Sequence, residues 1–119
     1  MRDIEFRAKD KNTGDWVYGF YRLGSFLKDA HIDSAHSVNS WHVIPETVGQ
    51  YTGLKDKNGV KIFEGDILQL GRHQTTGLVK WDKGSFLVDD EYLGWMADEF
   101  RMHGITVIGN IHDNPELAL

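Results

Sequence analysis

The chain has 119 residues, a formal net charge of -5 and no cysteine. The length suits one domain, 1–119, with its own hydrophobic core. The absence of cysteine excludes disulfides, thiolate nucleophiles and cysteine-based zinc or iron–sulfur sites, and it fits a reducing cytoplasm. The acidic balance argues against broad binding to phosphate backbones, which relies on clustered Lys and Arg. No apolar run has the length of a signal peptide or a membrane span, so we expect a cytoplasmic protein that does not bind membranes.

The N-terminal residues predict a β-hairpin. Ile4–Ala8 alternates apolar and charged residues, which is the period of a half-buried strand. A turn-rich cluster follows at 10–15. Trp16–Leu23 is then dense in aromatic and β-branched residues, as is typical of a second strand.

The next segment carries the weakest pattern in the chain. Residues 24–40 mix Gly, Ser, Asp and Ala with few apolar positions, so they predict a long loop, with a short strand near His31–Ile32. Trp41–Val48 again predicts a strand, and Pro45 places it at a sheet edge or a bulge. Long loops of this kind in compact domains are often functional or mobile.

The stretch 50–67, QYTGLKDKNGVKIFEGDI, predicts strands separated by two tight turns. Lys57-Asn58-Gly59 is the first turn, because Asn and Gly tolerate positive φ. Glu64-Gly65-Asp66 is the second. The sequence KDKNGVKIFEG within this stretch also resembles KDKNTGDWVYG near the N-terminus, so we expect two hairpins that use the same turn chemistry.

The C-terminal half predicts more short strands and two short helical segments. The strands are expected at Ile67–Leu70, Leu78–Trp81, Ser85–Val88 and Ile105–Ile108, with turns at 71–77, 82–84 and 109–111. Apolar residues between Asp90 and Phe100 fall at helical spacing and predict a short helix. Asn114-Pro115 fits a helix start at the C-terminus.

Together these elements predict a mostly β fold: a small barrel-like or sandwich domain of short antiparallel strands with at most one or two short helical segments. Five residues are assigned structural roles in the turns between strands. They are Asn58, Gly59, Gly65, Asp66 and Gly109.

Three stretches follow one another along the chain: RDIEFRAKD at 2–10, QYTGLKDKNGVKIFEGDI at 50–67 and VIGNIHDNPEL at 107–117. Through these stretches the chain resembles the YopX-like proteins of phages and prophages. Lys9 replaces a common Trp, and Phe63 replaces a common Tyr. The resemblance implies a mostly β domain with barrel character, a phage or prophage origin and a location in the host cytoplasm. It implies no catalytic mechanism, so no residue inherits a role.

Six histidines raise the question of a metal site. His31, His36 and His42 lie in or near the long loop, and the other three are His73, His103 and His112. Their spacings match neither a metalloprotease helix pair nor a zinc finger. We therefore interpret them as surface histidines, and we expect no metal and no cofactor.

An enzyme is the third hypothesis, as a small hydrolase or a metal-dependent enzyme. Glu64 and Asp66 have the spacing of two carboxylates on one strand face, which hydrolases use as acid and base or nucleophile. Asp66 is more simply interpreted as a turn residue that accepts hydrogen bonds from backbone amides. The sequence has neither a Gly-x-Ser-x-Gly nucleophile motif nor a Gly-rich phosphate loop.

The aromatic residues favour a non-catalytic binding module, for a host or phage protein or for self-assembly. Most must lie in the core, but both faces of Trp16–Leu23 carry aromatics, so one face is expected to reach a partner. The segment 82–99 is strongly acidic, which indicates either a solvated face or a patch for a basic partner. The tentative binding surface is Trp16, Tyr18, Phe20, Tyr51 and Trp81.

Nucleic-acid binding is the second hypothesis. Bases of single strands stack on aromatic side chains that are interleaved with basic residues. Arg7, Lys9, Lys11 and Arg22 lie near the first hairpin and could supply the cations. The net acidity ranks this hypothesis below protein binding.

Overall fold

The structure is a computed structural model that describes residues 4–24, 29–70, 75–82, 85–89, 94–96 and 104–118. Within these ranges the chain forms strands and two 3-10 turns, at Pro45–Thr47 and Pro115–Ala118. The strands are β1 (Phe6–Lys9), β2 (Trp16–Leu23), β3 (Ala30–Asp33), β4 (Ser40–His42), β5 (Gly49–Lys55), β6 (Lys61–Phe63), β7 (Asp66–Leu70), β8 (Thr75–Asp82), β9 (Ser85–Asp89), β10 (Gly94–Met96) and β11 (Thr106–Asn110). In the described part of the chain, no helix combines the length and apolar character that crossing a membrane requires.

The strands form two antiparallel sheets. One sheet has the order β4-β3-β2-β1-β5-β6, and the other has the order β10-β9-β8-β7-β11. The predicted mostly β class with short antiparallel strands is confirmed, and so are two short helical segments at most within the described residues. Barrel closure, one of the two predicted alternatives, does not occur there, because each sheet ends in unjoined edge strands.

Contacts divide the chain into two compact units, Met1–Tyr51 and Thr52–Leu119. In the first unit, alternate residues of β1 and β3 bury one face of the sheet around a small apolar core. Its buried members are Ala8, Ala30, Ile32 and Val43, with Phe6, Val17, Trp41 and Val48 packed against them. A single domain over 1–119 stays a prediction.

The second unit has its own core, built around β7. This strand pairs with β8 on one side and with β11 on the other, and its Leu68 is fully buried. The core consists of Leu54, Ile62, Leu68, Val79, Val88 and Ile105, with Val107 packed against it. Burial of an aliphatic side chain of this size contributes about 1.5–3 kcal/mol before entropic costs.

Two predicted elements differ from the structure. Gly94–Met96, inside the predicted helix, forms β10 and pairs with β9, while the other residues of that helix lie outside the described ranges. The spacing of apolar residues alone does not distinguish a helix from a strand here, because a segment of three residues can also form a short strand at the edge of a sheet. Trp41–Val48 is a strand only at its start, because Pro45 begins a 3-10 turn there.

Gly109 is not a turn residue. It lies inside β11, where the register with β7 shifts between Val107 and Gly109, so the strand carries a β-bulge. The turn begins after Asn110, and the side chain of Asn114 packs closely against Gly109. Of the turn predicted at 71–77, residues 75–77 belong to β8, and 71–74 lie outside the described residues.

Candidate functional site

One face of the sheet in the first unit carries charged and aromatic side chains. The strand registers place Arg7 opposite Tyr18, Lys9 opposite Trp16, and Phe20 opposite Asp33. Directly opposed residues of antiparallel strands share one face, while the apolar core lies on the other face. We call this face the polar face. It consists of Arg7, Lys9, Trp16, Tyr18, Phe20, Arg22, His31, Asp33, Ser40 and His42.

The aromatic side chains of the polar face have different exposures. The ring of Trp16 is half-buried and lies 4.6 Å from the guanidinium carbon of Arg7 and 5.5 Å from the Lys9 Nζ. Such cation–π contacts contribute about 0.5–1 kcal/mol at exposed sites. Tyr18 and Phe20 instead keep 45% and 51% of their surface exposed. The accessible aromatic surface of this face is therefore provided mainly by Tyr18 and Phe20.

The five residues of the predicted binding surface lie on different strands and differ in burial. Trp16, Tyr18 and Phe20 lie together on β2. Tyr51 is only 4% exposed, so it is an interior residue in this structure, and its aromatic type alone could not reveal this burial. Trp81 is half exposed on β8, in the second unit.

An ion pair lies across β2, β3 and β4 on the polar face. The Nε and Nη2 atoms of Arg22 donate to the two carboxylate oxygens of Asp33, at 2.9 and 3.2 Å. The Ser40 hydroxyl donates to the same carboxylate at 2.7 Å. The hydrogen bond between Arg22 and Asp33 raises the pKa of Arg22 and lowers that of Asp33, with Ser40 adding to the second shift. The positive charge of Arg22 is therefore matched within the sheet.

Asp29, His31 and His42 converge at the β4 edge of this sheet. The Nε2 atom of His31 lies 2.9 Å from Asp29 Oδ1, and the Nδ1 atom of His42 lies 3.8 Å from that same oxygen. The two imidazole rings meet edge to face with centroids 4.1 Å apart. One nitrogen or oxygen from each of the three residues falls within 4.8 Å of the other two, as metal ligands do.

Local structure fixes these three residues. His31 and His42 are direct partners in the register of β3 and β4, so their side chains share a face. The loop between the two strands is closed by a hydrogen bond from the Ser34 amide to the Asn39 carbonyl. Asp29 accepts the Gly24 amide through its carbonyl oxygen, and its carboxylate lies so close to Gly24 that a side chain there would displace it.

Sequence reasoning considered His31, His36 and His42 together, but the structure selects differently. His36 is exposed in the loop between β3 and β4 and is not part of the cluster. Asp29 was not identified as a possible ligand. The spacing of Asp29 and His31, Asp-x-His, is visible in the sequence. That His42 lies opposite His31 depends on the register of β3 and β4, which a weakly patterned loop does not reveal.

The predicted turn residues lie in the second unit. Asp66 is 1% exposed, and its Oδ2 atom accepts the amide of Phe63 at 2.7 Å. Gly59 and Gly65 have φ values of 82° and 93°, which favour glycine, and Asn58 precedes the first of them. Because Asp66 is buried, Glu64 and Asp66 do not present a pair of accessible carboxylates, and the hydrolase hypothesis loses its candidate pair.

Asp56 is a further structural residue that sequence reasoning missed. Its Oδ1 atom accepts the amides of Asn58 at 2.8 Å and Val60 at 2.9 Å, and its Oδ2 atom accepts the amide of Val107 at 3.0 Å. Burial by itself raises the pKa of the Asp56 carboxyl, but these amides stabilise the carboxylate more, so its pKa lies below the ordinary value.

The two similar sequence stretches do use the same turn chemistry, as expected. Asp10 Oδ1 accepts the amide of Asn12 at 2.7 Å in the first hairpin. Asp56 Oδ1 accepts the amide of Asn58 in the same way. In both places an Asp side chain bonds the backbone two residues ahead and fixes the reversal of the chain.

Comparisons with known proteins agree with this fold. The family model described as YopX protein matches residues 5–118. The crystal structure of protein EF1440 from Enterococcus faecalis is similar, with a TM-score of 0.67, 25% sequence identity and 100% of each chain covered. No curated protein sequence matches the chain.

Proposed function

We propose that this chain, which belongs to the YopX family, is a non-catalytic module that binds another protein through Tyr18 and Phe20. The supporting observation is that both aromatic side chains are about half exposed on β2, a strand held between β1 and β3. Aromatic side chains on a rigid strand lose little conformational entropy on binding, and they are enriched at protein interfaces. The partner is a protein that presents apolar side chains to this strand.

The charges around these aromatics favour a protein over a phosphate backbone. Arg22 on the same face is paired with Asp33. Arg7 and Lys9 lie against the ring of Trp16. Since the whole chain also carries a formal net charge of -5, long-range attraction of nucleic acid is weak.

Nucleic-acid binding remains the second proposal, because cations and aromatics alternate on the polar face. Arg7 and Lys9 lie beside Trp16, and Tyr18 and Phe20 continue the same strand. Bases of single strands stack on such a surface, each stacked base contributing about 1–3 kcal/mol. This proposal requires binding that weakens steeply as the salt concentration rises.

The biological setting is also a proposal. The resemblance to YopX-like proteins supports a phage or prophage origin and action in the host cytoplasm. The partner is then a host or phage protein, and a second copy of the chain is the alternative.

The test compares three tagged forms in host lysate. They are the wild type, the double variant Tyr18→Ser with Phe20→Ser, and the control Val38→Ser, which changes a fully exposed apolar residue in the loop after β3. Each lysate is split and one half is treated with nuclease. We expect a specific protein to be retained by the wild type and the control in both halves and lost by the double variant, whose fold is checked by circular dichroism.

The other outcomes count against the proposal in distinct ways. Retention that disappears after nuclease treatment replaces it with nucleic-acid binding. Equal retention by all three forms removes Tyr18 and Phe20 from the interface. If light scattering shows that the wild type self-associates and the double variant does not, the partner is a second copy of the chain.

A further inference from the structure

The structure assigns to Asp29, His31 and His42 a binding site for a divalent transition-metal cation of the zinc class. This site is distinct from the aromatic surface of β2, and the inference does not depend on the proposed function. It is carried by the convergence of three ligand-type atoms: two come from Asp29 and His31, which are close in the sequence, and the third comes from His42 on the adjacent strand β4.

The separations between the ligand atoms suit a small cation. Zinc binds imidazole nitrogen and carboxylate oxygen at about 2.0–2.2 Å in tetrahedral geometry, which places ligand atoms roughly 3.3–3.6 Å apart. The Asp29 oxygen lies 2.9 Å from His31 Nε2 and 3.8 Å from His42 Nδ1. Shifts of less than about 1 Å, within the reach of side-chain rotation, would bring these two pairs to the tetrahedral separation.

The donor set fits the zinc class better than calcium or magnesium. Imidazole nitrogen is a preferred ligand of zinc, copper and nickel, whereas calcium and magnesium prefer oxygen ligands alone. One carboxylate and two neutral imidazoles leave one net positive charge on a bound dication. Arg22, the cross-strand partner of His31, is paired with Asp33, so its charge is offset beside the site.

The site is preorganised on one side and open on the other. His31 is buried on β3 between β2 and β4, and Asp29 is held against Gly24. His42 lies on β4, at the end of the sheet, and 57% of its side chain is exposed. Three protein ligands with one side facing solvent leave a fourth position for water, as in open zinc sites.

A hydrogen bond between His31 and Asp29 is the simplest alternative explanation. It accounts for the 2.9 Å contact. It does not require His42 Nδ1 to face the same Asp29 oxygen, which a shared cation does require. The two explanations differ in whether the site binds metal, and in whether His42 matters to binding.

The experiment uses the full chain without an affinity tag, after treatment with a chelator. Zinc and cobalt(II) are titrated by calorimetry, and the cobalt complex is followed by its visible spectrum. We expect one cation per chain in the wild type, a tetrahedral cobalt spectrum and a higher Tm with zinc. His42→Ala should weaken affinity by at least about 100-fold, because even residues that only support a ligand cost 10–100-fold when removed.

Two further variants control the test. His36→Ala removes an exposed histidine from the neighbouring loop and should bind like the wild type. Asp29→Asn keeps the side-chain shape but removes the charge, and it should also bind weakly. The inference is overturned if the wild type binds neither cation, or if His42→Ala retains wild-type affinity and the cobalt spectrum.

Discussion

At the scale of single residues, two buried carboxylates fix turns of the second unit by accepting backbone amides, and only one of them, Asp66, was assigned this role from the sequence. Asp56 and Asp66 are both buried, and both accept backbone amides. The Asp66 carboxylate satisfies a buried amide and the Asp56 carboxylate satisfies part-buried amides, and leaving a buried donor unsatisfied costs about 1–3 kcal/mol. Neither residue lies in an apolar strand pattern, so hydrophobic periodicity does not indicate its burial.

We predict that Asp56→Asn lowers the free energy of unfolding by about 1–3 kcal/mol at neutral pH, because amides lose a charged acceptor. The pKa of Asp56 is lower in the folded chain than in the unfolded chain. Its stabilisation is therefore complete above the unfolded pKa of about 3.9 and is lost as the pH falls through the folded pKa. Urea denaturation at a series of pH values from neutral to strongly acidic measures both effects.

Asp15→Asn is the matched control, because Asp15 is an exposed residue in the turn of the first hairpin. It should change the free energy of unfolding by less than about 0.5 kcal/mol. Equal slopes of stability against pH for Asp56→Asn and the wild type below about pH 4 would refute the role assigned to the Asp56 carboxylate.

At the scale of elements, the turn between β6 and β7 depends on Asp66. We predict that Asp66→Asn lowers the free energy of unfolding by about 1–3 kcal/mol, because the buried Phe63 amide loses its charged acceptor. Glu64→Gln, in the same turn but only half-buried, should have a smaller effect. Thermal denaturation measures both. An Asp66→Asn variant of unchanged stability that loses a measured activity would return this pair to the hydrolase hypothesis.

The strands and most turns could be predicted from the sequence, because they depend on local patterns. Trp16–Leu23 was predicted with the bounds that β2 has. The Asn58-Gly59 turn and the C-terminal 3-10 turn follow from residue types alone. The Asp29–His31–His42 cluster could not be predicted, because it depends on which residues of β3 and β4 face each other, and no local signal sets that register.

At the scale of the whole molecule, each of the two compact units has an apolar core of its own. We predict one cooperative unfolding transition, because 119 residues is the length of one ordinary domain. Ile32→Val and Ile62→Val each remove one buried methyl group, one in each core, and should cost about 0.5–1.5 kcal/mol. Scanning calorimetry should show the same single transition lowered by roughly 4 °C in both variants.

Val60→Ala changes a half-exposed residue and should leave the transition almost unchanged. Two separate transitions, with each isoleucine variant lowering only one of them, would show that the units unfold independently. The prediction of a single domain would then be wrong.

The contact of Asp56 with Val107 also matters during synthesis on the ribosome. The two residues are 51 positions apart in the sequence. Strand β7 likewise pairs with a strand that is synthesised later, β11. At elongation rates of about 5–20 residues per second, Asp56 leaves the ribosome roughly 3–10 s before Val107, which lies on β11. During this interval one edge of β7 is open to other chains, so a nascent chain stalled before Thr106 should aggregate or recruit a chaperone.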